Sequence, residues 1–273
     1  MSHYVETLTK RTAITVVNTA GAASLDINVV IPPEWDDFWT WLTALADDVG
    51  DSIRVTDSDG VTLLDYSVDD GSGGTFSAAA KTGRIQIDAA AMTATANTIV
   101  CLWLYWGGTD ALADASTATT ITSAATGYID LGAPSLKSHS VRSQAVGRTT
   151  PYTSYAKGSN DTDDVWLDWS GWLEKSNTDQ IGSRAYEEPK HAVVTAVDEG
   201  GTPSTSVYTV GSCRWNEQPD GRVYLRVQVT AGTNGTNYTI SPKVTTVVPN
   251  DSAAHRVYQE RFGLHVVDVQ EAA

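Results

Sequence analysis

Few sets of side chains in this 273-residue chain have the types and spacing that chemistry requires. Asp57, Asp59 and Gly60 resemble the opening of a calcium loop, whose early carboxylates bind the ion together with a bidentate Glu at the twelfth position. That position is Val68, so the Asp-Gly pair is read as a tight hairpin turn that tolerates positive φ. Asn160, Asp161, Asp163 and Asp164 gather acidic oxygen, for which a solvated, Asp-rich entry to a strand is the simpler account. His3, His139, His191, His255 and His265 show no HExxH or related spacing, and no serine sits in a G-x-S-x-G elbow. Nothing selects a general acid and base from the 33 acidic residues. No catalytic residue, metal or cofactor is assigned, and the chain is read as a non-enzyme.

Trp166, Trp169 and Trp172 stand three apart in DDVWLDWSGWL. Side chains alternate across a strand, so the three cannot all face inward from one. Some are expected to pack the core while the rest cover the neighbouring connector. The functional reading is an interface anchor, a role in which Trp is enriched. Cys101, inside the apolar run TIVCLWLYW, has no activating neighbour and is read as a small buried hydrophobe. With Cys213 in a different expected module, no disulfide framework is indicated.

The elements that would position these residues read mostly as strands. TAITVVN, residues 12–18, and LDINVVI, residues 25–31, separated by small residues, predict a hairpin or strand pair. In PPEWDDFWTWLTALADDVG, Trp35, Phe38, Trp39, Leu42 and Leu45 recur at spacings of three and four between two prolines and Gly50, which predicts one short amphipathic helix buried along its aromatic stripe. SIRVTDSDGVTLLDYSV predicts two strands about the Asp57–Gly60 turn, GRIQIDA a half-buried strand, and NTIVCLWLYW the central strand of the module. From Thr109 to Asn160 the chain is rich in Ala, Thr, Ser and Gly and is read as a connector. Strands are then expected at His191 to Val197, Ser206 to Val210, Arg222 to Thr230 and in GLHVVDVQ, the spacing of an antiparallel sandwich.

Composition agrees. The chain is 41% hydrophobic and only 19% charged, with nine Trp and eleven Tyr. The net charge is −15, of which −12 falls in residues 1–130. Such a field repels phosphate backbones and anionic membrane surfaces, so neither nucleic acid nor membrane is an expected partner, while basic protein surfaces are. No stretch approaches the roughly 20 apolar residues of a bilayer span. MSHYVETLTKRT lacks the apolar core of a signal peptide, so a soluble protein made in the cytoplasm is expected.

Two resemblances add to this reading. IRVTDSDGVTLLDYSV followed by NTIVCLWLYWGG resembles an uncharacterised family of concanavalin-like β-sandwich modules, whose later apolar strand ends Tyr-Tyr-Gly-Asn; here it ends Tyr105, Trp106, Gly107, Gly108. The stretches DDVWLDWSGWL, with Asp168, Trp169, Ser170 and Leu173, and AGTNGTNYTISPKVTTVVP, with Gly232, Gly235, Tyr238 and Val244 to Thr246, resemble the Ig-like domain of tailed-bacteriophage structural proteins, including fibre-tail adaptors. These resemblances imply an all-β fold of two antiparallel β-sandwich modules. Residues 1–115 are expected to form a concanavalin- or jelly-roll-like module with one short helix, 116–160 a connector, and 161–273 an Ig-like module able to fold alone. The implied function is a virion structural protein, an adaptor or a capsid decoration protein, working as a symmetric homo-oligomer with other virion proteins. The competing reading is a carbohydrate-binding or adhesive module presenting Trp103, Tyr105 and Trp106.

Overall fold

A computed structural model describes residues 8–45, 52–92, 94–108, 121, 125–134, 138–140, 153–170, 187–248 and 256–267. Among the described residues the fold is all-β, with 52% of those residues in strands, a large mixed sheet, a second small sheet and a single α-helix. The first part of the chain supplies β1 (Lys10–Asn18), β2 (Ser24–Val30), helix α1 (Asp36–Ala44), β3 (Arg54–Thr56), β4 (Tyr66–Asp69), β5 (Arg84–Ala91) and β6 (Thr98–Trp106). The expected connector supplies β7 (Ala125–Ile129), β8 (Ser138–Ser140) and β9 (Thr153–Lys157). The rest supplies β10 (Asp163–Asp168), β11 (Glu188–Asp198), β12 (Arg214–Glu217), β13 (Val223–Val229), β14 (Asn237–Val247), β15 (Val257–Gln259) and β16 (Phe262–Val266).

The large sheet has the order β4-β5-β2-β7-β1-β6-β11-β14-β16-β9, with β3 added to β6 and β15 to β14; the small sheet is β12-β13-β10-β8. β1 and β2 are therefore not a hairpin. β7 lies between them, antiparallel to β1 and parallel to β2. β8 joins β10 and β9 joins β16, also in parallel. The segment read as a connector is thus woven into both sheets, because its short strands find ladder partners already laid down on either side. This also makes the large sheet mixed where an antiparallel one was expected.

Strand β6 organises the interior. All nine of its residues are buried. Because side chains alternate across a strand, Ile99, Cys101, Trp103 and Tyr105 face one core, and Val100, Leu102, Leu104 and Trp106 face the other. The second core holds the aromatic stripe of α1, where Trp35 stacks on Phe38 at 4.7 Å and meets the edge of Trp106 at 5.0 Å. The first core is the sandwich between the two sheets, filled by residues of β10, β12 and β13 from one side and β11, β14 and β16 from the other. Leu8 and Ala13 also belong to it, so this core draws on residues from both expected modules.

The Asp57–Gly60 turn forms, with Gly60 at φ +72°, but the expected hairpin of two strands does not: β3 pairs with β6 and β4 with β5, and only the bridge Thr56–Leu63 joins the two arms. Ser58, Asp59 and Gly60 of the turn are buried: Trp103 Nε1 donates to Ser58 O at 3.2 Å and Tyr105 Oη donates to Gly60 O at 2.8 Å. Asp59 accepts from Val61 N and Thr62 N at 3.0 and 2.8 Å, which occupies its carboxylate with the turn's own amides.

Candidate functional site

Trp166 and Trp169 lie on and just after β10 and are 2% and 0% exposed. Trp166 sits against the residues that follow β7, close enough that a Cβ on Gly132 would come within 3.0 Å of its ring. It also meets Tyr224 edge-on at 6.1 Å and lies 5.6 Å from the Arg226 guanidinium. Trp169 belongs to the sandwich core, and its Nε1 finds no hydrogen-bond partner among the described residues. Trp172 falls outside the described residues. Trp103, Tyr105 and Trp106, the rings of the carbohydrate reading, are 0%, 2% and 4% exposed. They fill the two cores and offer no platform to a sugar.

The structure assembles one polar centre that spacing in the sequence did not signal. Arg11, near the start of β1, donates through Nη1 to Glu188 at 2.6 Å and through Nε to both oxygens of Glu217 at 2.9 Å. Its guanidinium carbon lies 4.1 Å from the centre of the Trp103 ring. Burial works against the charge, but Glu188 and Glu217 more than offset it and hold the Arg11 pKa well above its ordinary value. The triad ties β1 to the first residue of β11 in one sheet and the last residue of β12 in the other.

Above it opens a cleft of about 510 Å³, walled by the start of β1, residues 34–37 at the entry to α1, residues 130–132 after β7, and the β12–β13 turn. Its polar groups are largely engaged with one another. Asn216 Nδ2 donates to Asp130 O at 2.7 Å and Gly132 O at 3.0 Å, and Gln218 donates to Gly132 O at 3.0 Å. Asp130 lies 3.3 Å from Arg226, and Lys10 Nζ sits 4.5 Å from the centre of the Trp106 ring. No histidine or cysteine lines the cleft. What the arrangement does chemically is lock three segments of the chain together.

A second polar knot has the same character. Glu187, just ahead of β11, accepts from Thr246 Oγ1 and Tyr258 Oη at 3.0 Å each and pairs with Arg256 at 3.0 Å, joining β14 and β15. Both cysteines are free and buried, and desolvation pushes the Cys101 thiol far up and that of Cys213 to about 12, which leaves neither as a thiolate near neutral pH. Among the described residues, no group of three or more His, Cys, Asp or Glu is arranged to hold a metal ion, and no helix is long and apolar enough to cross a membrane. No protein-family model matches this chain, and no curated protein sequence matches it either.

Proposed function

We propose that this chain is a non-enzymatic structural protein of a tailed-bacteriophage virion, an adaptor between head or tail and fibres or a capsid decoration protein. It works through protein–protein contacts in a symmetric homo-oligomer. The observation that carries this reading is the placement of the two stretches that resemble the phage Ig-like domain. The first supplies β10 in the small sheet and the second supplies β14 in the large one. Leu167 and Trp169 of the first and Tyr238, Ile240 and Val244 of the second share one core. Stretches about 70 residues apart thus contribute strands to the facing sheets of one sandwich, an arrangement in keeping with an Ig-like domain.

The polar chemistry supports the same reading. The buried charges described above bind segments of the chain to each other, which suits a protein whose task is to hold a shape. The net charge of −15 favours basic partner surfaces. Symmetric repetition would multiply modest contacts at each copy into a stable assembly.

The test is the mass of the full chain in solution by light scattering, together with mass spectrometry of purified phage particles from the same source. A defined oligomer and a fixed copy number per particle are expected. A monomer at every concentration, absent from the particle, would overturn the proposal.

A further inference from the structure

Strand β7 is an insertion in the large sheet. β1 and β2 run antiparallel and are joined only by residues 19–23, the layout of a hairpin, yet β7 lies between them. Neither neighbour is next to it in the chain: it follows β6 and leads to β8, which pairs with β10 in the small sheet. Its hold is short, with three register pairs to β1 and three to β2, against nine between β1 and β6. It also brings little apolar bulk. Its inward positions are Ala125, Gly127 and Ile129, and the side chains of Ile14, Ile27 and Val29 close over Gly127 from both sides. β1 and β2 thus frame a slot one strand wide whose inner face the core already covers. What the slot requires of its occupant is backbone donors and acceptors for two ladders, with a glycine level with Val16 and Val29. In a single chain, β7 fills it.

We infer that this slot is an acceptor site for a strand of a second copy of the chain, and that β7 and β8 are exchanged between neighbouring copies. β8 goes with β7 because the residues after β7 are tied to the small sheet that β8 joins: Asn216 Nδ2 donates to Asp130 O and Gly132 O at 2.7 and 3.0 Å. An exchanged pair therefore clamps both sheets of the acceptor. The chain is long enough on either side. Fully extended, residues 107–124 and 141–152 reach about 60 and 40 Å, each more than the roughly 30 Å of a nine-residue strand such as β1. Charge favours this kind of contact. Copies that each carry −15 repel one another, whereas the strand ATGYI has no charged side chain and binds through its backbone. A chain's own strands and its neighbour's make the same contacts, so effective concentration decides between them, and close packing of copies raises the neighbour's.

This inference rests on the homo-oligomer proposed above and names the contact that builds it. It is tested on the full chain with the double variant Asn28→Cys/Thr126→Cys, two positions paired in register between β2 and β7, treated with a short bis-maleimide. Cys101 and Cys213 are buried and stay unreactive in the folded chain. Covalent species of two or more chains are expected on a denaturing gel. Ser67→Cys/Thr126→Cys, a pair three strands apart in the same sheet, should give none. Chains carrying Asn28→Cys alone, refolded together with chains carrying Thr126→Cys alone, give a second reading should the double variant fail to fold; a mixed covalent dimer is expected. Cross-links confined to single chains, in an oligomer of defined mass by light scattering, would overturn the exchange and leave the assembly reading standing. A chain monomeric at every concentration would overturn both. Equal coupling of the control pair, or no cross-link of either kind, would also overturn the exchange.

Discussion

Arg11 lies 177 residues from Glu188 and 206 from Glu217 along the chain, so no local pattern announces their meeting. What was legible was a basic residue at the start of a strand; what was not is that two sheets would close on it. Removing it takes the Arg11 counter-charge away from two carboxylates whose side chains are 10% and 3% exposed. Breaking a buried pair in this way costs about 3 to 5 kcal/mol. Arg11→Met is therefore expected to lose that much in urea unfolding at neutral pH. A second residue-scale prediction concerns His191. Burial, then Lys190 and Lys243, lower its pKa from 6.5 to about 4. A base with a depressed folded-state pKa contributes stability that is full above 6.5 and lost as the pH falls toward about 4. Comparing unfolding across that window, His191→Gln should show a shallower acid loss than the parent; parallel curves would contradict the assignment.

Elements were legible where the residues carry the pattern within themselves. The stripe of Phe38, Trp39 and Leu42 is buried in α1 as its spacing required, and TIVCLWLYW is central because an apolar run needs cover on both faces. β7 was not legible. ATGYI has weak alternation, and its strand character comes from lying between β1 and β2. Gly127 permits this approach: a Cβ there would stand 2.7 Å from Val29 Cγ2, 2.9 Å from Ile27 Cγ2 and 3.2 Å from Ile14 Cγ2. Forcing extra methyl groups into such a contact costs roughly 1 to 3 kcal/mol. Gly127→Val should lower the melting temperature accordingly, and an unchanged melt would show that β7 is not held where the structure puts it.

For the whole molecule the decisive feature is that β6 fills two cores. If residues 161–273 are cut away from the rest, the sandwich core loses Leu8, Ala13, Ile99, Cys101, Trp103 and Tyr105. Burying a large apolar side chain contributes roughly 1.5 to 3 kcal/mol, so a loss of this kind is comparable with a domain's whole stability of about 5 to 15 kcal/mol. β11 would also lose β6 as a ladder neighbour at His191 and Ala192. The full chain is accordingly expected to unfold in a single transition, with Trp fluorescence and far-ultraviolet circular dichroism changing together, and the 161–273 fragment is expected to lack a cooperative melt. Two separated transitions in the full chain, or a cooperative fragment, would mean that each half closes its own core and that the contacts through β6 are only a docking surface. A cooperative whole has a mechanical consequence for an assembly protein. Strain applied to either half passes through β6 to the other, so a partner bound on one side would meet the stiffness of the entire chain.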